Sequence, residues 1–511
     1  MSFNSPKQSI RSLRDAILVT LISIIVAGGA VGGFLIGRYR SHDAFITKVT
    51  RQAGIGNTSL LSAGSAPVSL FQAVGKELDD PLAAEAFARL YDVPQANREA
   101  LGKRLRDVAW VPAYQPAPFV GHMARPSFGA EPRINMLGFR DERQSYVTKP
   151  DRTVRVFITG GSTAWGSGAS LQKNTISYLL EEMLNSRVSQ LPDCRYEVIN
   201  TAFPGWSTTQ EKLLIEQRLV DMHPNMVIMF SGNNDAHLER SGRDIRWSYG
   251  LMDQNYMILL NELYKSSGHP EWTFSLLARS RPAELSDLGL ITARNVEEAA
   301  FATDRARARL IFALQPNVVS TGKRLSKHEK QLPEVQNKAY WNSWHLALRD
   351  HLSRIKARNY QLLDLSKSFA GLGDDTEVFV DSYHFADLGN RLIAEALAEQ
   401  IDWPSITPGP AVVADQKDTL RIVNLEPNAW PAGKRFDRQR DGMSLLRLIA
   451  NRNDKNLVVV FDQSVLPTVV DDDALTASIF TSQYDRRGDH SVYVADSMTG
   501  ETSQSVVFHS Q

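Results

Sequence analysis

Residues 154–168 read VRVFITGGSTAWGSG. The first six form a short apolar, β-branched run, the pattern of a buried strand. A glycine turn follows at once and carries Ser162. A serine on a strand-to-helix turn is exposed among backbone N–H groups, and glycine lets a substrate come close to the backbone. A hydroxyl is a weak nucleophile until a base removes its proton. By itself the turn therefore reads equally as a phosphate-binding turn or a plain glycine turn. It lacks the Gly-x-x-x-x-Gly-Lys-Ser/Thr of a P-loop, and the chain has no Gly-x-Ser-x-Gly elbow.

Outward from this turn, strand and helix patterns alternate. YEVIN (196–200), NMVIMF (225–230), ARLIFAL (308–314) and YQLLDLS (360–366) read as strands. Helical periodicity runs over 174–186, 208–222, 333–358 and 386–401. Such alternation predicts a parallel sheet with helices on both faces, a three-layer α/β/α architecture. Polar loops then fall at the carboxyl ends of the strands, where open α/β sheets place their sites. Residues 236–307 read as a mostly helical, irregular insertion that would cap or shape a cleft.

The flanks differ in style. The chain has 511 residues, with 57 Lys plus Arg against 57 Asp plus Glu. No long basic run occurs beyond the N-terminus, so nothing points to nucleic acid. The single cysteine, Cys194, excludes an intramolecular disulfide and any multi-cysteine metal site. From Ala16 to Gly37 there are 22 residues without a charge, running straight into Arg38. A bilayer-spanning helix needs about 20 apolar residues, so residues 16–37 are expected to be an uncleaved membrane anchor. Residues 1–15 would be a cytoplasmic tail, with the large domain outside the cytoplasmic (inner) membrane, in the periplasm. Charges flank the stretch on both sides (Lys7, Arg11, Arg14; Arg38, Arg40, Lys48, Arg51), so the positive-inside rule discriminates poorly. Gly29, Gly33 and Gly37 share one helix face and would let two such helices approach as a homodimer; glycine is also simply common in membrane helices. Residues 38–134 read as a helical stalk and lead-in, with helical patterns at 81–93 and 95–110 and a proline-bearing extended or looped segment at 111–126. After the linker TPGPA (407–411), residues 411–511 carry short β-patterned runs separated by turns, the pattern of a β-sandwich of immunoglobulin-like type.

Three further loops at predicted strand ends carry chemistry. VDSYHFADLGN holds Asp381 and His384. An aspartate three residues before a histidine can bond one ring nitrogen, fix the tautomer and leave the other nitrogen to act on a serine. SGNND holds Asn234, whose amide can donate to a developing oxyanion, and NTAFPGWST holds Gly205, whose N–H can do the same. No second histidine lies near His384 and no ligand cluster appears, so no metal is expected.

In this order, the serine, glycine, asparagine and Asp-x-x-His blocks resemble the SGNH, or GDSL-like, hydrolase family over about residues 135–402, with NMLGFRDER (135–143) similar to the lead-in of bacterial members. Gly160-Gly161-Ser162 departs from the founding Gly-Asp-Ser. The resemblance implies an SGNH-hydrolase-like domain over 135–405. It implies that Ser162 attacks an acyl carbonyl, His384 relays the proton and Asp381 orients His384. It further implies that the N–H groups of Ser162 and Gly205 and the Asn234 side chain hold the oxyanion, with no cofactor. The C-terminal region resembles the immunoglobulin-like (IPT/TIG-type) modules of cell-surface proteins.

These expectations converge on a membrane-anchored serine esterase or deacylase acting on O-acyl, above all O-acetyl, groups of a carbohydrate or surface polysaccharide. Trp165 and Trp206 would flank the cleft and stack on a sugar ring, or else pack the loops. An O-acetyltransferase using the same residues, and a non-catalytic polysaccharide-binding or assembly scaffold, are the alternatives.

Overall fold

The computed structural model describes residues 81–91, 101, 114–128, 131–186, 194–242, 253–273, 287–412, 419–437, 439 and 443–511. The apolar stretch 16–37, its glycines Gly29, Gly33 and Gly37, and all of the pattern at 95–110 except Leu101 lie outside these residues. Among the described residues no helix is long and apolar enough to cross a membrane.

Helix α1 (Pro81–Tyr91) precedes an antiparallel hairpin, β1 (Tyr114–Ala117) and β2 (Gly121–Ala124). Then β3 (Thr153–Gly160) leads through the one-turn α2 (Ser162–Trp165) to α3 (Ile176–Ser186). Next come β4 (Arg195–Asn200), α4 (Thr208–Gln217), β5 (Met226–Ser231) and α5 (Asn233–Arg240). They are followed by α6 (Asp253–Ser266), α7 (Leu290–Arg305), β6 (Arg309–Leu314), α8 (Lys338–Ser353), β7 (Tyr360–Asp364) and α9 (Asp387–Gln400). Each strand lies within one or two residues of its expected place, because its apolar run is bounded by polar turns.

The five strands form one parallel sheet in the order β4-β3-β5-β6-β7. All eight residues of β3 and all six of β5 are buried, as expected of central strands covered on both faces. Helices α3 and α9 pack together, as do α4, α7 and α8, giving the three layers. The order reverses between β3 and β5, and at such a switch the connections diverge and leave a crevice above the strand ends.

One expectation needs correction. The segment 236–307 is not an insertion throughout. Helix α7 buries Ala293, Val296, Ala299 and Ala300 against α4, α8 and β6, and is part of the sheet's cover. Its side chain Asn295 also donates to Thr208 and Thr209 of α4.

The C-terminal region is β-rich and built of two sheets. One has the order β13-β14-β10-β8 (Thr468–Val470, Leu475–Ile479, Ser444–Ala450, Ile422–Glu426). The other has the order β12-β11-β15-β16-β9 (Ser464–Val465, Leu457–Phe461, Gly488–Asp496, Val506–Ser510, Ala429–Trp430). Alternate residues Leu446, Leu448, Leu475, Ala477, Val459, Val492 and Phe508 form one core between them. The outer side of the second sheet, at Val460 and Ala495, meets Met136 of the lead-in. Ser145 donates to the Thr499 carbonyl at 3.0 Å, and Arg218 to that of Met498 at 3.2 Å. Lys149 and Val412 exchange backbone hydrogen bonds, and Asn225 donates to the Thr407 carbonyl, so the stretch expected as a free linker is stitched to the α/β domain.

Gly500 has φ +72°, and a Cβ there would lie 1.8 Å from the Gln144 carbonyl oxygen. Gly500→Ala is expected to lower stability by about 1–3 kcal/mol through strain and overpacking. A thermal melt of the purified chain measures this, and an unchanged midpoint would rule out the seating of the β-rich region on the lead-in.

Candidate active site

The serine turn is shaped by contacts that exclude side chains. A Cβ on Gly160 would lie 2.4 Å from the Phe230 carbonyl oxygen, so β3 and β5 can converge only with glycine there. A Cβ on Gly161 would lie 2.3 Å from Asn234 Nδ2 and 3.3 Å from the Trp206 carbonyl oxygen. The serine, asparagine and glycine blocks thus meet at Gly161. Asn234 donates one amide N–H to the Trp206 carbonyl at 2.7 Å, which leaves its second N–H for a ligand atom beside Ser162. Its neighbour Asn233 is buried, donating to Pro316 and accepting from Asn317, and serves the fold. Gly205, with φ +85°, makes the turn that brings the Trp206 carbonyl into place.

His384 completes the chain of hydrogen bonds. Its Nε2 lies 2.6 Å from Ser162 Oγ and its Nδ1 lies 2.7 Å from Asp381 Oδ2. The other Asp381 oxygen accepts the backbone N–H groups of Tyr383 and His384, each at 2.8 Å. Asp381 and His384 are 3% and 4% exposed, so solvent does not compete for these bonds. Burial alone would raise the Asp381 carboxyl. The charge and hydrogen bond of His384 and the two N–H donors outweigh it and hold the group below its ordinary 3.8. An ionised Asp381 fixes the imidazole with Nε2 toward Ser162, the arrangement for general-base activation.

The two loops are locked together. A Cβ on Gly168 would fall 1.8 Å from the Phe385 carbonyl oxygen, so the serine loop lies directly on the histidine loop. The Asp387 carboxylate accepts from the Ser170 N–H and hydroxyl at 2.8 and 2.5 Å, and from Asn174 at 2.9 Å. Tyr91 of α1 donates to the Gly168 carbonyl at 2.9 Å. Below the histidine loop, Glu329 accepts the Val378 and Phe379 N–H groups and pairs with the buried Lys323 at 2.6 Å. Asp235, next to Asn234, accepts from the N–H and hydroxyl of Thr208 and from Thr292, and burial raises its carboxyl to about 6.

Of the two roles expected for Trp165 and Trp206, sugar stacking does not stand and loop packing does. Both are 0% exposed. They pack with Phe203, with ring centroids 6.0 and 5.8 Å away, and present no face to a sugar. Being flanked by apolar neighbours, these positions belong to the core beneath the turn. Sequence reasoning did not single out Arg140, Asn200 or Asp387. The lead-in motif that contains Arg140 was noticed, but no spacing rule ties it to the serine turn. Among the described residues no group of three or more His, Cys, Asp or Glu could hold a metal ion.

No family model matches the chain, and no curated protein matches it. Among solved structures it is similar to TesA (13% identity, TM-score 0.29), covering 48% of this chain and 95% of that one. It is also similar to the acetyl xylan esterase AlAXEase (15%, 0.28; 48% and 98%). A third is Axe2, an acetylxylan esterase from Geobacillus stearothermophilus (14%, 0.29; 49% and 95%). At these scores the functional reading rests on the geometry above.

Two outcomes follow. Because Asp381 is held below 3.8, its ionised form stabilises the fold above that pH, and the contribution is lost as pH falls through the carboxylate range. The stability advantage of the wild type over Asp381→Asn, measured by thermal melts from pH 7 down to 3, should narrow at the acid end. A gap that widens there would reverse the sign. Asn234→Ala should lower kcat about 10²–10³-fold, as loss of an oxyanion donor does, and should lose less stability than Asn233→Ala because only the Trp206 carbonyl is left unpaired. Asn233→Ala should instead lose stability by about 1–3 kcal/mol, leaving buried groups unpaired. Exchange of these two phenotypes would overturn the assignment.

Proposed function

We propose that the protein is a serine ester hydrolase. One observation carries the reading: an unbroken hydrogen-bonded chain from Ser162 through His384 to Asp381, with the Asn234 amide against Gly161, the residue before the serine. In the reaction, Ser162 Oγ attacks the acyl carbonyl while His384 Nε2 takes its proton. The carbonyl oxygen becomes an anion held by the second N–H of Asn234 and, in the role the sequence implies, by the backbone N–H groups of Ser162 and Gly205. Collapse of this intermediate expels the alcohol, protonated by His384. Water, deprotonated by the same ring, then releases the acid from Ser162. Asp381 keeps the imidazole oriented and stabilises it while it carries charge.

The proposed substrate is an O-acyl, and specifically O-acetyl, group on a carbohydrate outside the cytoplasmic membrane. Support for the location comes from the apolar stretch 16–37, proposed as the anchor. Burial of the two tryptophans leaves the sugar without an aromatic platform at those positions, so the acyl group is the better supported half of this reading. The C-terminal β-rich region is proposed as an immunoglobulin-like module, on the strength of its two sheets over one core.

The full chain, purified in detergent, should hydrolyse p-nitrophenyl acetate and be labelled at Ser162 by a fluorophosphonate. Ser162→Ala should abolish labelling and lower turnover by at least about 10³-fold. Equal turnover in the two proteins would sink the hydrolase reading. Acetyl transfer to an added saccharide in preference to water would replace it with a transferase.

A further inference from the structure

We propose that Arg140 is a positioning residue for the nucleophile: it holds the carbonyl end of the serine turn so that the N–H end stays aimed at the oxyanion. The inference rests on the esterase reading of Ser162.

Helix α2 is a single turn, Ser162–Trp165. A helix end leaves its last carbonyls without partners inside the helix; the Gly166 carbonyl accepts the Ala169 N–H at 3.0 Å, while those of Ala164 and Trp165 look to side chains. Two side chains from outside the turn meet them. Asn200, at the end of β4, donates to the Ala164 carbonyl at 3.0 Å and the Trp165 carbonyl at 3.2 Å. Arg140, from the lead-in, donates through Nη1 to the Trp165 carbonyl at 2.9 Å and the Gly166 carbonyl at 3.3 Å. The backbone N–H of Arg140 donates to the Asn200 carbonyl at 3.0 Å, so the two side chains act as one bracket.

Arg140 is 4% exposed, and among the described residues no carboxylate lies within ion-pair reach of it. Burial pushes the Arg140 guanidinium down to about 10, only partly offset by the charge of Glu131, and burying an arginine without a close ion pair is costly. The turn supplies substitutes: the carbonyl dipoles at its end and the face of the Trp165 ring, 5.4 Å from the guanidinium carbon. These contacts oppose rotation of the turn. Gly166, at φ +90°, has its missing Cβ position 3.3 Å from Nη1 and 2.7 Å from Thr175. Rotation of so short a turn would swing both the Ser162 hydroxyl and its N–H away from His384 and Asn234, and displacements of about 1 Å are enough to cost large factors in rate.

The test separates positioning from folding and from the esterase reading itself. Full-length wild type, Arg140→Lys and Arg140→Met are compared on p-nitrophenyl acetate, with active sites counted by fluorophosphonate titration. In Arg140→Met, kcat per titrated site should fall about 10–100-fold, within the range for a lost oxyanion donor, with KM within about twofold. In Arg140→Lys, which keeps the charge but not the planar fork, the fall should be about 3–10-fold. Either variant at the wild-type kcat per site overturns the proposal, even if its melting temperature or titratable fraction is reduced. If Arg140→Met does not fold, Arg140→Lys alone decides. A wild type that is not labelled at Ser162 defeats the esterase reading instead, whatever the variants do.

Discussion

Ser162 and His384 are 222 residues apart in the chain, and their hydrogen bond spans 2.6 Å. Everything around the site answers that one requirement. Two loops rising from strands on either side of the sheet's switch point must be held to within a fraction of an ångström. The structure does this by direct contact of backbone on backbone. Gly168 has no side chain because the Phe385 carbonyl occupies its place, and the Asp387 carboxylate bonds three donors of the serine loop from the first turn of α9. The histidine loop is propped from below by Phe369, Phe379 and Phe385, whose rings sit 5.1–5.6 Å apart.

The number of buried polar groups is the corollary. Arg140, Asn200, Asp235, Lys323, Glu329, Asp381 and His384 are all less than 9% exposed. Each would be a liability without partners, because desolvation is not returned by water. Most of them bond backbone groups of a loop, and His384 bonds the side chains of Ser162 and Asp381. Apolar packing cannot aim a loop, since it is indifferent to direction, whereas hydrogen bonds are directional. The α/β layers therefore supply stability, and the polar groups supply orientation.

This division explains what could be read from the sequence. The five strands and the four helices named beside them were legible because runs such as VRVFIT and NMVIMF obey burial patterns set by neighbours in the chain. Ser162 and Asn234 could be singled out because they directly follow β3 and β5, and Asp381 and His384, well past the end of β7 at Asp364, because of their Asp-x-x-His spacing; Asn234 rather than Asn233 lies beside Gly161. The sequence left the tryptophans open between stacking on a sugar and packing the loops, because adjacency to a catalytic residue says nothing about which way a ring points; both turn inward onto Phe203. The boundaries of 236–307 were misjudged because α7 covers the sheet through contacts with α4 and α8, which are far away in sequence. Arg140 and Asp387 were invisible as site residues for the same reason: their partners are the carbonyls of Trp165 and Gly166 and the hydroxyl of Ser170, and no local pattern encodes them.

The β-rich C-terminal region rests mainly on the lead-in, with Arg218 as a further contact from the α/β domain. Met136 sits against Val460 and Ala495, and four residues further on Arg140 grips the serine turn. A pull or push on these sheets therefore reaches the α/β domain in part through the lead-in, a short segment of irregular chain. In mechanical terms the lead-in is one load path between the β-rich region and the turn that carries the nucleophile.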